Sequence, residues 1–296
     1  MHCIIREKSL DLPTSKLIIM TKHFLLSALI SLFTTSTLCA QNKIIELWPD
    51  SIPGALKAKS EHKLDKKTEK NVIRLVEVTN PTLEVCEPQG PKNGMAVVVC
   101  PGGGYHVLAY NKEGTEIAEW LIRQGFTAFT LAYRVPNQRE GALQDVQRAI
   151  RYVRSKYGFS KVGVIGFSAG ASLSARAATR FNTPAYPAMD DIDTTNCRPD
   201  FAALIYPAYL ADGEGGTLTP ELTVSKQTPP TFIFGTADDF YSSNSSLVYA
   251  QAMRKEKAPI ELHYLNHGGH GYGMRYGVGL LWPTIAEEWL RYRAGL

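Results

Sequence analysis

Gly166-Phe167-Ser168-Ala169-Gly170 holds a serine between two glycines at the spacing of a nucleophile turn. An apolar run from Val162 to Ile165 precedes it, and a helical pattern from Ala169 to Thr179 follows. A chain that passes from strand to helix within one residue presses the flanking backbones together, so side chains two positions before and after the turn would collide. The turn lifts the serine hydroxyl above the sheet. The Ala169 amide then sits at a helix N-terminus, where it can stabilise a developing oxyanion.

A serine hydroxyl is a weak nucleophile until a base removes its proton. The segment from His263 to Tyr272 supplies three histidines. His270, framed by Gly269 and Gly271, is the preferred base, because a neutral imidazole can take the proton and return it to a leaving alcohol. His263 is read as alternating within a strand, and His267 as a loop neighbour lining the cleft. The local glycines give a loop rather than the i, i+4 helical face of a zinc site, so no metal is expected. Phe234-Gly235-Thr236-Ala237-Asp238-Asp239 ends another apolar run and offers the acid that orients the base. Asp238 is preferred, 70 residues after Ser168. Asp239 is the alternative, otherwise capping the turn or the helix near Ser243.

Cys100-Pro101-Gly102-Gly103-Gly104-Tyr105 follows a further apolar run. Its glycines allow close backbone approach and inward amides, so Gly103 and Gly104 join Ala169 as oxyanion donors. No Gly-Lys-Ser or Gly-Lys-Thr follows, which argues against a phosphate loop. Tyr105 and His106 flank the loop and are candidate substrate contacts, as is His267. Asp145 and Arg148 read as structural charges, and Arg134 as a support for the oxyanion loop.

Elements must bring these segments together. Met95 to Cys100 is a continuous apolar run, as a strand covered on both faces requires. Strands are expected over 126–133, 162–165, 201–206, 231–234 and 260–264. Helices are expected over 113–124, 141–157, 169–179, 243–255 and 282–293, with Gly125 and Gly158 as terminators and Pro283 in a first turn. Such alternation implies an α/β protein with a mostly parallel sheet and helices on both faces.

The chain has 296 residues, 44% of them hydrophobic, and 32 Lys plus Arg against 28 Asp plus Glu. A formal charge of +4 with no long basic run argues against nucleic acid as a partner. Residues 1–40 read as a leader. Met20 is its expected start, Phe24 to Phe33 form its apolar centre, and cleavage is expected after Ala40. The apolar centre is too short to cross a bilayer, which takes roughly 20 residues, so no stable membrane insertion is expected. Leu38 is larger than the residue that a lipid-anchor site at Cys39 wants. Residues 41–296 then form one domain, in a periplasmic or extracellular location. There Cys86, Cys100 and Cys197 allow at most one disulfide and are read as buried thiols.

With these motifs assembled, the chain resembles the secreted acetyl-xylan-esterase-like carbohydrate esterases of the α/β-hydrolase fold. The resemblance runs through Ile45-Glu-Leu-Trp-Pro, Asn80-Pro-Thr-Leu-Glu-Val, Val99-Cys-Pro-Gly-Gly-Gly-Tyr, Glu113-Gly, Tyr133-Arg-Val-Pro, Asp145-Val-Gln-Arg-Ala-Ile, Gly166-Phe-Ser-Ala-Gly and Gly268-Gly-His-Gly-Tyr-Gly. It implies a triad of Ser168, Asp238 and His270, an acylated carbohydrate or small ester as substrate, and no cofactor. Two departures stand out. Ala171 takes the place of a second glycine, and Phe240-Tyr-Ser-Ser replaces a Val-Pro-like stretch after the acid.

Overall fold

The computed structural model describes residues 43–65, 71–212 and 216–295. The expected leader, its cleavage point and Cys39 lie outside these residues. Eight strands form the central sheet: β1 (Lys43–Glu46), β2 (Thr82–Cys86), β3 (Met95–Cys100), β4 (Thr127–Ala132), β5 (Lys161–Phe167), β6 (Ala202–Ile205), β7 (Thr231–Thr236) and β8 (Ile260–Leu265). Their order is β1-β2-β4-β3-β5-β6-β7-β8. β2 runs antiparallel to both of its neighbours, and the ladders from β4 to β8 are parallel. This is the expected α/β-hydrolase architecture. Neither β1, at the sheet edge, nor β2, second from it, stands out in the sequence, because each is a run of five residues or fewer with mixed polarity and so gives weak periodicity.

Among the described residues, five α-helices cover the sheet: α1 (Glu116–Arg123), α2 (Arg139–Tyr157), α3 (Ala169–Thr179), α4 (Ser243–Lys255) and α5 (Trp282–Ala294). Side chains alternate across a strand, and β3 shows the consequence. Ala96, Val98 and Cys100 enter a core shared with Leu143 and Val146 of α2, Leu173 of α3 and Met253 of α4. Met95, Val97 and Val99 enter the opposite core with Trp120 of α1 and Trp282 of α5, whose rings meet edge to face at 5.3 Å. Full burial of each valine is worth about 1.5–3 kcal/mol, which explains the unbroken apolar run. The first helix begins later than expected because residues Asn111–Thr115 form a π-helical turn.

Arg134 does not reach the oxyanion loop. It is buried against Asp145, with its Nη2 2.9 Å from the carboxylate, and its backbone amide also donates to Asp145. Trp48 Nε1 donates to the same carboxylate at 2.8 Å. This network ties the chain between β1 and β2 to α2. Arg148 instead faces Asp190 and Asp193. Cys86, Cys100 and Cys197 are free and buried, and burial pushes the Cys100 thiol up to about 12. Among the described residues, no helix is long and apolar enough to cross a membrane.

Candidate active site

Ligand sites in such sheets form at the carboxyl ends of parallel strands. Here β3, β5, β7 and β8 each end in one of the four segments singled out above. Ser168 occupies the single residue between β5 and α3, with φ 52° and ψ −118°. That left-handed backbone is costly for a non-glycine residue and is held by its surroundings. A Cβ on Gly166 would lie 2.1 Å from the Gly170 carbonyl oxygen, and one on Gly170 would lie 2.0 Å from the Cys100 carbonyl oxygen. The two glycines therefore allow α3 to start against both β5 and the end of β3.

The loop after β8 carries His270 over this serine. His270 Nε2 lies 2.7 Å from Ser168 Oγ. On its other side, His270 Nδ1 lies 2.7 Å from Asp239 Oδ2. The expected acid, Asp238, is not the partner of the imidazole. It is exposed, and it accepts the Gly269 and Gly268 amides at 2.9 and 3.1 Å. Those amides, Gly269 first, hold its carboxyl below the usual carboxylate range. Asp239 is only 1% exposed and accepts a 2.9 Å bond from the Tyr241 amide and another from the Ser242 hydroxyl.

The inward turn of Asp239 has a local cause. β7 continues two residues past the expected end, and the Ala237 amide still bonds the Leu265 carbonyl on β8 at 2.8 Å. The chain leaves the sheet only there. Asp238 then stands on the outside of the turn, and the next residue points inward. Asp238 instead pins the glycine pair in front of His270.

Gly103 and Gly104 line the cleft beside Ser168. Among the described residues their amides, and that of Ala169, make no hydrogen bond. Gly103 has φ 134°, and a Cβ there would lie 2.1 Å from the Val107 carbonyl oxygen, so the loop can close only with glycine. Behind it sits Glu113, which the sequence placed in a helix pattern and a family motif but without a role at the site. Its carboxylate accepts the Gly102 amide at 2.9 Å and the Tyr206 hydroxyl at 2.9 Å. The Tyr206 oxygen in turn accepts the Gly273 amide at 3.0 Å, and burial, followed by the nearby Glu113 charge, raises its pKa well above the usual phenol value. Glu113 thus joins the glycine loop after β3 to the loop that carries His270. The Glu113-Gly114 pair among the family motifs was the one signal for it.

Glu113→Gln leaves one donor facing another, since an amide nitrogen cannot accept either bond. The expected result is a kcat reduced about tenfold or more at unchanged KM through loss of loop geometry. Thermal melting should report a loss of about 1–3 kcal/mol for the unsatisfied buried group. A variant with wild-type kcat would remove Glu113 from the positioning of this site.

The other expected contacts are placed elsewhere. Tyr105 is 2% exposed, with its hydroxyl 3.3 Å from Ser172 Oγ, and belongs to the core. His106 and His267 are exposed and do not line the cleft, and His263 Nε2 lies 2.8 Å from Glu261 within β8. The cleft, about 330 Å³, is walled by Val72, Arg74, Val107, Ala109, Tyr209 and Tyr241, with Tyr209 packed beside Tyr105 of the glycine loop and Tyr241 beside His270. Tyr209 opens the segment 207–230, whose place relative to the cleft the sequence left open. Among the described residues, no group of three His, Cys, Asp or Glu side chains converges as metal ligands would.

The BD-FAE family model matches residues 83–201 of the chain. An acetylxylan esterase of Xylanibacter ruminicola is 30% identical over 216 residues, 63% of this chain and 42% of the relative. An endo-1,4-beta-xylanase B of Butyrivibrio fibrisolvens is 31% identical over 59% of this chain and 32% of its own length. The chain therefore spans less than half the length of these curated relatives. The crystal structure of an acetyl ester-xyloside bifunctional hydrolase from Caldicellulosiruptor lactoaceticus superposes with a TM-score of 0.68 at 31% identity, covering 87% of this chain and 98% of that one.

Proposed function

This chain belongs to the acetyl-xylan-esterase-like α/β-hydrolases, and from that premise we propose that it is an exported serine esterase that removes short acyl groups, foremost acetyl, from plant polysaccharides or their oligosaccharides. The observation that carries the reading is the unbroken relay from Ser168 Oγ through His270 to Asp239, with both links at 2.7 Å. His270 Nε2 takes the serine proton as Oγ attacks the ester carbonyl carbon. The oxygen of the tetrahedral intermediate is held by amides of Gly103, Gly104 and Ala169, aided by the N-terminus of α3. Asp239 keeps Nδ1 protonated and stabilises the imidazolium. The imidazolium returns its proton to the departing sugar oxygen, leaving an acyl-enzyme. A water, deprotonated by the same imidazole, then releases the acid and restores Ser168.

The short-acyl preference rests on Val72, Val107 and Ala109, which crowd the wall beside the oxyanion loop. The carbohydrate alcohol rests on what the relatives are named for, and export rests on the leader read in the sequence. A substrate panel tests the reading. Turnover is expected on p-nitrophenyl acetate and acetylated xylan, falling from acetate through butyrate to octanoate, and low on methyl ferulate. Exhaustive chelation should leave these rates unchanged, since the relay requires no ion. A rate highest on octanoate or methyl ferulate would overturn the acetyl assignment, and loss on chelation restored by zinc or calcium would overturn the metal-independent chemistry.

A further inference from the structure

The rim of the cleft carries two adjacent aromatic residues in open solvent. Phe240 is 92% exposed and Tyr241 74% exposed, and their rings meet edge to face at 5.6 Å. Scattered apolar side chains on a surface are ordinary, but a contiguous pair beside a reactive centre marks a contact for something else. A groove of about 220 Å³ runs beside them, bordered by Tyr209, Asn244 and Ser245, and it shares Tyr209 and Tyr241 with the reactive cleft. Tyr209 is held in place by the Arg139 guanidinium, 4.4 Å above its ring.

The direction of the groove follows from the chemistry of the relay. The leaving alcohol must receive its proton from His270 Nε2, so the alcohol lies on the imidazole side of the scissile bond, and the acyl group lies toward the oxyanion loop. Tyr241 packs on that imidazole at 5.3 Å. A substrate chain continuing from the alcohol oxygen therefore passes over Tyr241 and reaches Phe240. A pyranose with equatorial hydroxyls has an apolar C–H face suited to an aromatic ring and a polar perimeter suited to the exposed amide of Asn244.

We propose that Phe240, Tyr241 and Tyr209 form a sugar-stacking platform that holds a neutral pyranose next to the esterified one, so that the preferred substrate is an acylated oligosaccharide rather than an acylated monosaccharide. The proposal rests on the esterase reading above and assigns its leaving-group side.

Three enzymes test it: wild type, Phe240→Ala and Phe240→Trp. Each is assayed on p-nitrophenyl acetate, acetylated xylose and acetylated xylotetraose, and for binding of unacetylated xylotetraose by calorimetry. The expected wild-type kcat/KM is about tenfold or more higher on the tetraose ester than on the xylose ester, the scale of one aromatic contact. Phe240→Ala should lose most of that gain through KM, weaken xylotetraose binding by a similar factor, and keep its rate on p-nitrophenyl acetate. Phe240→Trp should restore both. Equal kcat/KM on the two sugar esters, or a tetraose rate indifferent to Phe240→Ala, overturns the platform while normal p-nitrophenyl acetate turnover leaves the esterase reading intact. An alanine variant impaired instead on methyl ferulate or p-nitrophenyl octanoate would make the groove an acyl site and also overturn it. A wild type inactive on every ester, the dye acetate included, would remove the esterase reading and the platform with it.

Discussion

Ser168→Ala is expected to lower ester turnover by about four orders of magnitude or more, because the variant keeps the base and the oxyanion amides but has no atom to form the acyl-enzyme. The fold should survive. Alanine adopts the strained φ of 52° no worse than serine, and among the described residues the lost hydroxyl is bonded only to the imidazole of His270. Melting should shift by no more than about 0.5 kcal/mol. An organophosphate should label wild type at this serine alone, with intact mass rising by one adduct and peptide mapping finding it between Gly166 and Gly170. Labelling elsewhere, or turnover in the alanine variant within tenfold of wild type, would sink the nucleophile assignment.

The second large effect separates two neighbouring aspartates. Asp239→Asn is nearly isosteric, and its amide oxygen can still accept the Tyr241 amide, bonded at 2.9 Å in the native chain. Its amide nitrogen then faces His270 Nδ1 and donates to it, which leaves the proton on Nε2, the atom that must accept the proton of Ser168. Turnover should fall about a thousandfold or more at a KM close to wild type. Asp238→Asn should keep turnover within about tenfold, since it acts only through the glycine pair before His270. The carboxyl of Asp238 is depressed in the folded chain by the Gly269 and Gly268 amides. Its contribution to stability is therefore present above the unfolded carboxylate pKa of about 3.9 and is lost as pH falls through the lower folded value. Melting of wild type and Asp238→Asn should differ at neutral pH and converge in acid. A larger loss of turnover in Asp238→Asn than in Asp239→Asn would reverse the two roles.

The contrast between these aspartates marks the boundary of what a sequence can state. The run Met95 to Cys100, the helix Ala169 to Thr179 and the helix from Ser243 to Lys255 were legible to the residue, because period and glycine placement are properties of local chain geometry. The same holds for the start of the serine turn, where Gly166 is required by the Gly170 carbonyl four residues on, whereas Gly170 answers to the distant Cys100 carbonyl. His270 was legible for a related reason: of three nearby histidines, it alone is framed on both sides by glycine. The orienting acid was narrowed to an adjacent pair and no further. Which member turns inward depends on how far β7 stays paired with β8, and that is set by a carbonyl on another strand. Tyr105 and His106 looked like cleft residues from their place beside the glycine loop, yet the loop turns one ring into the core and leaves the other outside. The cleft wall was instead supplied by Tyr209 and Tyr241, and the brace behind the loop by Glu113 and Tyr206, from segments distant in the chain. The sequence determined the local units and the reactive side chains that each presents. Only the tertiary structure decided which polar groups meet, because a hydrogen bond between distant segments depends on the packing of every element between them.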